Sequence, residues 1–123
     1  MFSISKDGIV TLSRGDNISI PLFINAGTEI SPVRYTLQDD DIVYLGICEP
    51  GQPFETAIVR KVYDKDNREI NEHGDLVVTF NTKDTEHLEN GLYYYIVKLR
   101  RLNDSGEEII DTIIPKRKFY IED

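Results

Sequence analysis

Residues 17–25 read Asn-Ile-Ser-Ile-Pro-Leu-Phe-Ile-Asn, with Ile18, Ile20, Leu22 and Ile24 all on one parity. Apolar side chains at every second position give an extended strand one buried face, whereas a helix needs a period of 3.6. The same alternation recurs as Val43, Leu45 and Ile47 in residues 42–48, and as Leu76, Val78 and Phe80 in residues 75–81. It recurs again as Tyr93, Tyr95, Val97 and Leu99 in residues 92–102. Shorter or less regular runs at residues 8–13, 33–37, 56–63, 107–115 and 116–121 complete a chain of strands.

Turn chemistry separates these runs: Arg14-Gly15-Asp16-Asn17, Pro50-Gly51-Gln52-Pro53 and Asn103-Asp104-Ser105-Gly106. Residues 64–74 are polar and aperiodic, which predicts a surface loop. Pro21 lies off the apolar parity and lacks a ladder donor, so a bulge or a sheet edge is expected there. Asn81 or Thr82 can cap a single helical turn running to Leu88, with Asp84 and Glu86 near its start. A four-residue hairpin loop at residues 103–106 would set Lys98 opposite Asp111, Arg101 opposite Glu108, Leu99 opposite Ile110 and Ile113 opposite Ile96. The pattern predicts an all-β fold: a two-sheet antiparallel β-sandwich with one short helical turn, in a single domain over residues 1–123.

Composition narrows the function classes. Lys and Arg total 14 against 22 Asp and Glu, a net charge of −8, which argues against a protein that tracks nucleic-acid phosphates. One cysteine and two histidines can neither staple the chain nor close a four-ligand zinc site. No run reaches the ~20 apolar residues of a membrane span, and Met1-Phe2-Ser3-Ile4-Ser5-Lys6 lacks the order of a signal peptide. No cofactor, nucleic acid or membrane is expected as a partner, and the chain is expected to work where it is made or in a particle assembled there.

Motifs for chemistry are sparse. Arg14-Gly15-Asp16 is the integrin-ligand tripeptide, but the same residues are what a strand-to-strand turn requires. Asp39-Asp40-Asp41 and Asp64-Lys65-Asp66-Asn67 offer oxygens to a hard cation; the second departs from a calcium loop at Arg68 and Glu69, and both read as solvated loop carboxylates. Cys48, the serines, His73 and His87 are the candidate nucleophiles and bases, and no nucleophile motif joins them. Cys48 in an apolar strand reads as an inert thiol, so an enzyme is not expected.

Residues 88–97, Leu-Glu-Asn-Gly-Leu-Tyr-Tyr-Tyr-Ile-Val, carry the spacing of a tyrosine corner, assigned to Leu88, Gly91 and Tyr93. Inward Tyr93 leaves Tyr94 and Ile96, with Ile113, as an outward apolar stripe. Two readings fit it: cover by residues 1–4 or a long loop, or contact with another subunit. Basic residues cluster on the last strands as Lys98, Arg100 and Arg101 and as Lys116, Arg117 and Lys118, beside Glu107, Glu108 and Asp111. The candidate interface is therefore Tyr94, Ile96, Ile113, Lys116, Arg117 and Lys118, suited to an acidic protein or to another copy.

Residues 8–22, Gly-Ile-Val-Thr-Leu-Ser-Arg-Gly-Asp-Asn-Ile-Ser-Ile-Pro-Leu, resemble a recurring start in tailed-phage structural proteins. The strand ending at Glu49-Pro50, the GDLVVTF strand at residues 74–80, the Asp84-Thr85 turn and L-x-x-G-x-Y-Y-Y are similar too. Together they resemble the immunoglobulin-like N-terminal domain of phage upper baseplate proteins and similar small virion proteins, those of crAss-like phages included. The resemblance, over residues 9–114, implies an immunoglobulin-like β-sandwich, a place in the virion and other virion proteins as partners, in multiple copies; it brings no active site. In multidomain relatives a receptor-binding or fibre region follows, whereas here the sequence stops at Asp123, which favours an adaptor, decoration or fibre-anchoring role at the capsid, neck or tail and baseplate. The alternative is a carbohydrate- or host-surface-binding sandwich using Tyr35, Tyr44, Tyr63 or Tyr94 as stacking platforms.

Overall fold

The computed structural model describes residues 2–4, 9–28 and 30–122. Its strands are β1 (Phe2–Ile4), β2 (Val10–Ser13), β3 (Ile18–Leu22), β4 (Ile42–Cys48), β5 (Val59–Tyr63), β6 (Glu69–Ile70), β7 (Leu76–Phe80), β8 (Gly91–Leu102) and β9 (Glu108–Glu122). A 3-10 turn at Phe54–Thr56 and a short helix, α1 (Thr82–Thr85), complete the elements. The strands form two sheets, ordered β1-β2-β9-β8-β4-β5 and β3-β7-β6. The fold is an all-β two-sheet sandwich. Strands β3, β7 and β6 against β9, β8, β4 and β5 repeat the arrangement of strands B, E and D against G, F, C and C′ in the immunoglobulin sandwich. One pair departs from the antiparallel expectation: β2 runs parallel to β9, with Val10 beside Phe119 and Leu12 beside Ile121.

The alternating positions meet in one core. Leu12, Val43, Ile47, Leu76, Val78, Phe80, Val97 and Phe119 are almost wholly buried. Antibody domains place a cysteine on strand F two residues after the corner tyrosine and bridge it to strand B. Here that position is Tyr95, whose ring meets Phe119 edge-on at 6.3 Å; Phe119 in turn meets Phe80 at 5.8 Å. The rings join β8 and β9 to β7 of the opposite sheet, while β3 adds Ile20 to the same core. The Tyr93 hydroxyl donates to the carbonyl oxygen of Glu89 at 2.7 Å, beneath buried Leu88, and Gly91 opens β8 at φ +143°.

Of the two alternatives at Pro21 the sheet edge holds: Pro21 sits in a continuous β3–β7 register on the edge strand β3. Other local expectations are corrected. Residues 33–37 form no strand; a single bridge joins Asn25 to Arg34, and Asn25 Oδ1 takes up the amides of Gly27 and Val33. Within the polar stretch 64–74, Glu69 and Ile70 pair with Val77 and Leu76 as the short strand β6. Residues 2–4 pair with β2 as an edge strand, so they extend the sheet and do not cover its outer face; Met1 and Gly8 lie outside the described residues.

The β8–β9 register also differs. Asn103 N donates to Glu107 O, and Gly106, at φ +79°, donates to Asn103 O, so the loop is a three-residue turn whose last position needs left-handed backbone. That moves the pairing by one residue: Leu99 faces Asp111 and Lys98 faces Thr112. The charges meet diagonally instead, Arg101 Nε on Asp111 Oδ2 at 2.8 Å and Arg100 Nε on Glu108 Oε2 at 3.2 Å. Pro115 does not end the strand, because two register shifts, between Tyr95 and Val97 and between Val97 and Lys98, absorb it within β9.

Arg34 and Asp75 tie the β3–β4 loop to the start of β7. The Arg34 guanidinium, by hydrogen bond and charge, holds the Asp75 carboxyl below the usual carboxylate range against the opposing effect of burial. A depressed folded value means that the pair stabilises the fold above about pH 4 and loses that contribution as the pH falls through the folded value. Asp75→Asn should therefore flatten the acid limb of a stability-versus-pH curve measured by urea unfolding, leaving its shape above pH 5 unchanged.

Candidate functional site: the outer face of the large sheet

Alternation along β8 buries Tyr93, Tyr95, Val97 and Leu99 and turns Leu92, Tyr94, Ile96, Lys98 and Arg100 outward. On β4, Tyr44, Gly46 and Cys48 pair with Lys98, Ile96 and Tyr94 on that outer face. Strand β5 adds Arg60 and Val62, the latter 46% exposed, and β9 adds Lys118 opposite Tyr94 and Tyr120 opposite Leu92.

Part of this face is covered by the β4–β5 connection. The Phe54 ring lies against Gly46, where a Cβ would stand 2.8 Å from it, so the close approach requires glycine. Cys48 is buried beside it, its Sγ 3.9 Å from the Pro53 carbonyl oxygen, and burial pushes the thiol up from its ordinary value. A buried, protonated thiol is a poor nucleophile. The loop thus covers Gly46 and Cys48, which the expectation did not name, while Tyr94 and Ile96 of the expected stripe, with Val62, stay partly open to solvent.

Cations settle on the rings. Lys98 Nζ lies 4.6 Å from the Phe54 centroid, Arg60 lies 5.8 Å from it on the guanidinium side, and Lys116 Nζ lies 4.4 Å from the Tyr94 centroid. Such contacts orient a cation without neutralising it. Among the described residues, Arg60, Lys98, Lys116 and Lys118 form no ion pair with a carboxylate. On a chain of net charge −8 this face is basic and aromatic.

Of the six expected interface residues, Tyr94, Ile96, Lys116 and Lys118 share the face. Arg117, opposite Tyr95, is exposed on the other side of the strand. Ile113 does not belong to the stripe. The irregularity between Val97 and Lys98 leaves it without a partner on β8, and it packs inward with Ile114 against the core. A bulge places consecutive side chains on one side, which simple alternation cannot anticipate.

A second feature lies beyond the three-stranded sheet, where the β8–β9 hairpin faces the connection from β3 to β4. A cleft of about 800 Å³ opens there, floored by Ile24, Tyr35, Leu99 and Ile113. Asp41 is 2% exposed and accepts from the Tyr35 hydroxyl at 2.6 Å and from Gln38 N at 2.8 Å. Burial first, then the hydrogen bond to Asp41, pushes the Tyr35 hydroxyl up to about 12, so it remains a donor. The acidic triplet is thus not uniformly solvated: Asp39 and Asp40 are exposed and Asp41 is structural. Nothing in the local sequence separates the three.

The remaining candidates are held apart. Arg14 Nη1 donates to Leu88 O, Gly15 N to Thr85 Oγ1 at 3.0 Å and Thr82 N to Asn17 Oδ1, so the Arg-Gly-Asp turn is bolted to α1. Asp64 Oδ1 accepts the amides of Asp66 and Asn67, spending the carboxylate on a turn. His73 lies in the β6–β7 turn beside Glu72 and His87 follows α1, both exposed and neither next to Cys48 in the fold's order. Among the stacking candidates, Tyr35 is bonded to Asp41 and Tyr94 carries Lys116. Among the described residues no group of three His, Cys, Asp or Glu side chains is placed to hold a metal ion, and no helix is long and apolar enough to cross a membrane. Comparison with protein-family models, with curated proteins and with solved structures finds no match for this chain.

Proposed function

We propose that the chain is a non-enzymatic structural subunit of a tailed-phage virion, an adaptor, decoration or fibre-anchoring module. In this reading it is assembled in the host cytoplasm and binds neighbouring virion proteins in several copies through the outer face of the large sheet. The observation that carries the reading is that face: half-open Tyr94, Ile96 and Val62 among Arg60, Lys98, Lys116 and Lys118, cations that no carboxylate of the described chain neutralises. Apolar surface rimmed by one sign of charge fits an acidic protein surface. The resemblance of residues 9–114 to small virion sandwiches supplies the particle.

Mass spectrometry of gradient-purified particles from the phage carrying this gene should find the chain at many copies. The variant Tyr94→Lys with Ile96→Lys should fold normally, judged by circular dichroism and melting, and be lost from particles. Particles devoid of the wild-type chain, or normal incorporation of the variant, would overturn the proposal.

A further inference from the structure

We infer that the cleft between the β8–β9 hairpin and the β3–β4 connection receives the Lys116–Lys118 stretch of a second copy, so that subunits associate head to tail. The inference rests on the assembly reading above and names one of its partners.

The cleft has the chemistry of a long basic side chain's complement. Its floor is apolar, from Ile24, Leu99 and Ile113, with the Tyr35 ring beside them. Two further lining residues, Asp40 and Asp104, are exposed, and neither carboxylate has an ion-pair partner among the described residues. Among the described residues the only cation lining the cleft, Arg101, is already spent on Asp111 at 2.8 Å. A lysine or arginine lays its aliphatic stem on such a floor and presents its charge to carboxylates beyond it.

The chain carries a matching occupant. Lys116, Arg117 and Lys118 are its one run of three consecutive basic residues, and all three are exposed. They lie where β9 slips register against β8, which spreads their side chains around the strand. Lys116 and Lys118 stand on the outer face, whereas the cleft is floored by the inward residues Leu99 and Ile113 of the same hairpin. A copy therefore cannot fill its own cleft, and the contact joins different surfaces of two molecules. A contact of that kind builds rings or filaments and does not stop at a symmetric dimer. Each charge pair is weak when exposed, so the association gains strength by repetition in an array.

Sedimentation velocity on the full chain tests this. Self-association should be strongest near 0.01 M salt, where the Debye length is about 30 Å, and should vanish near 1 M, where it is about 3 Å. Asp40→Asn with Asp104→Asn removes the two exposed cleft carboxylates that have no ion pair; Lys116→Gln with Lys118→Gln removes two of the occupant's three charges. Each variant alone should weaken association at least about tenfold, the equivalent of ~1.4 kcal/mol. Mixed, the two should form one-to-one complexes and nothing larger, because each retains the half that the other lacks. A wild-type chain that stays monomeric at low salt, variants that associate as the wild type does, or a mixture that stays monomeric would overturn the inference. Particle incorporation without self-association would overturn it while leaving the virion reading intact; absence from particles strikes that reading instead.

Discussion

Phe119→Ala should destabilise the fold by about 3–5 kcal/mol, seen as a fall of roughly 2 M in the urea midpoint. Phe119 is 1% exposed and sits mid-core on the strand that joins β2 to β8. Its ring meets Phe80 from the opposite sheet and Tyr95 from the neighbouring strand. Truncation removes both edge contacts and leaves a void that β9, fixed on both sides, cannot close. Domains of this kind have only about 5–15 kcal/mol of stability, so the variant would stand near the edge of folding at 37 °C. A loss under about 1 kcal/mol would show that the ring cluster does not hold the sheets together. Phe119→Leu, which keeps most of the volume, should lose markedly less.

Asp41→Ala should cost about 2–3 kcal/mol by leaving two donors, the Tyr35 hydroxyl and Gln38 N, without their acceptor in a buried place. Asp41→Asn keeps an acceptor oxygen and should cost less. Tyr35→Phe combined with Asp41→Ala should cost less than the sum of the single losses, a coupling of about 0.5–3 kcal/mol in a double-mutant cycle. Additive losses would mean that the pair does not act as a unit. In Asp41→Asn, an NMR titration should bring Tyr35 down from about 12 only part of the way towards the ordinary tyrosine value of 10.0, since burial, the larger cause, remains.

The sandwich itself was legible because period 2 is a local property. Each strand from β2 to β9 except β6 falls on an alternating or less regular apolar run; α1 follows Asn81, one of the two residues expected to cap it, whose amide donates to Asp84 Oδ2 at 2.7 Å, but ends at Thr85 and not at Leu88. The misses have a common cause in pairing. Strand β6 has only two residues, too few to show a period, and exists because β7 offers it a free edge. Residues 33–37 have strand-forming side chains, but Asn25 closes their loop and Tyr35 turns to Asp41.

The candidate site divides in the same way. Tyr94, Ile96, Lys116 and Lys118 could be placed together because parity alone sets which way β8 faces and because β9 follows it by a short hairpin. Ile113 could not, because its direction depends on a bulge that relieves Pro115 and the three-residue turn, a matter of register and not of composition. Phe54 was invisible as part of the face, since the only hint, Gly46 in a strand otherwise made of large residues, acquires meaning once a ring is seen on it.

By itself, then, the sequence determined the strands long enough to show a period, the direction of side chains where alternation is unbroken and the uneven spread of its charges, all of which follow from neighbours along the chain. The tertiary structure decided which carboxylates are spent within the fold and which bases are left over. Asp41, Asp75, Asp84 and Asp111 are taken up by Tyr35, Arg34, Lys61 and Arg101, while Lys98 and Lys116 rest on aromatic rings. The reason is physical: an ion pair depends on a few ångströms of separation in space, and the alternation of a strand fixes the side of the sheet but not the partner across it.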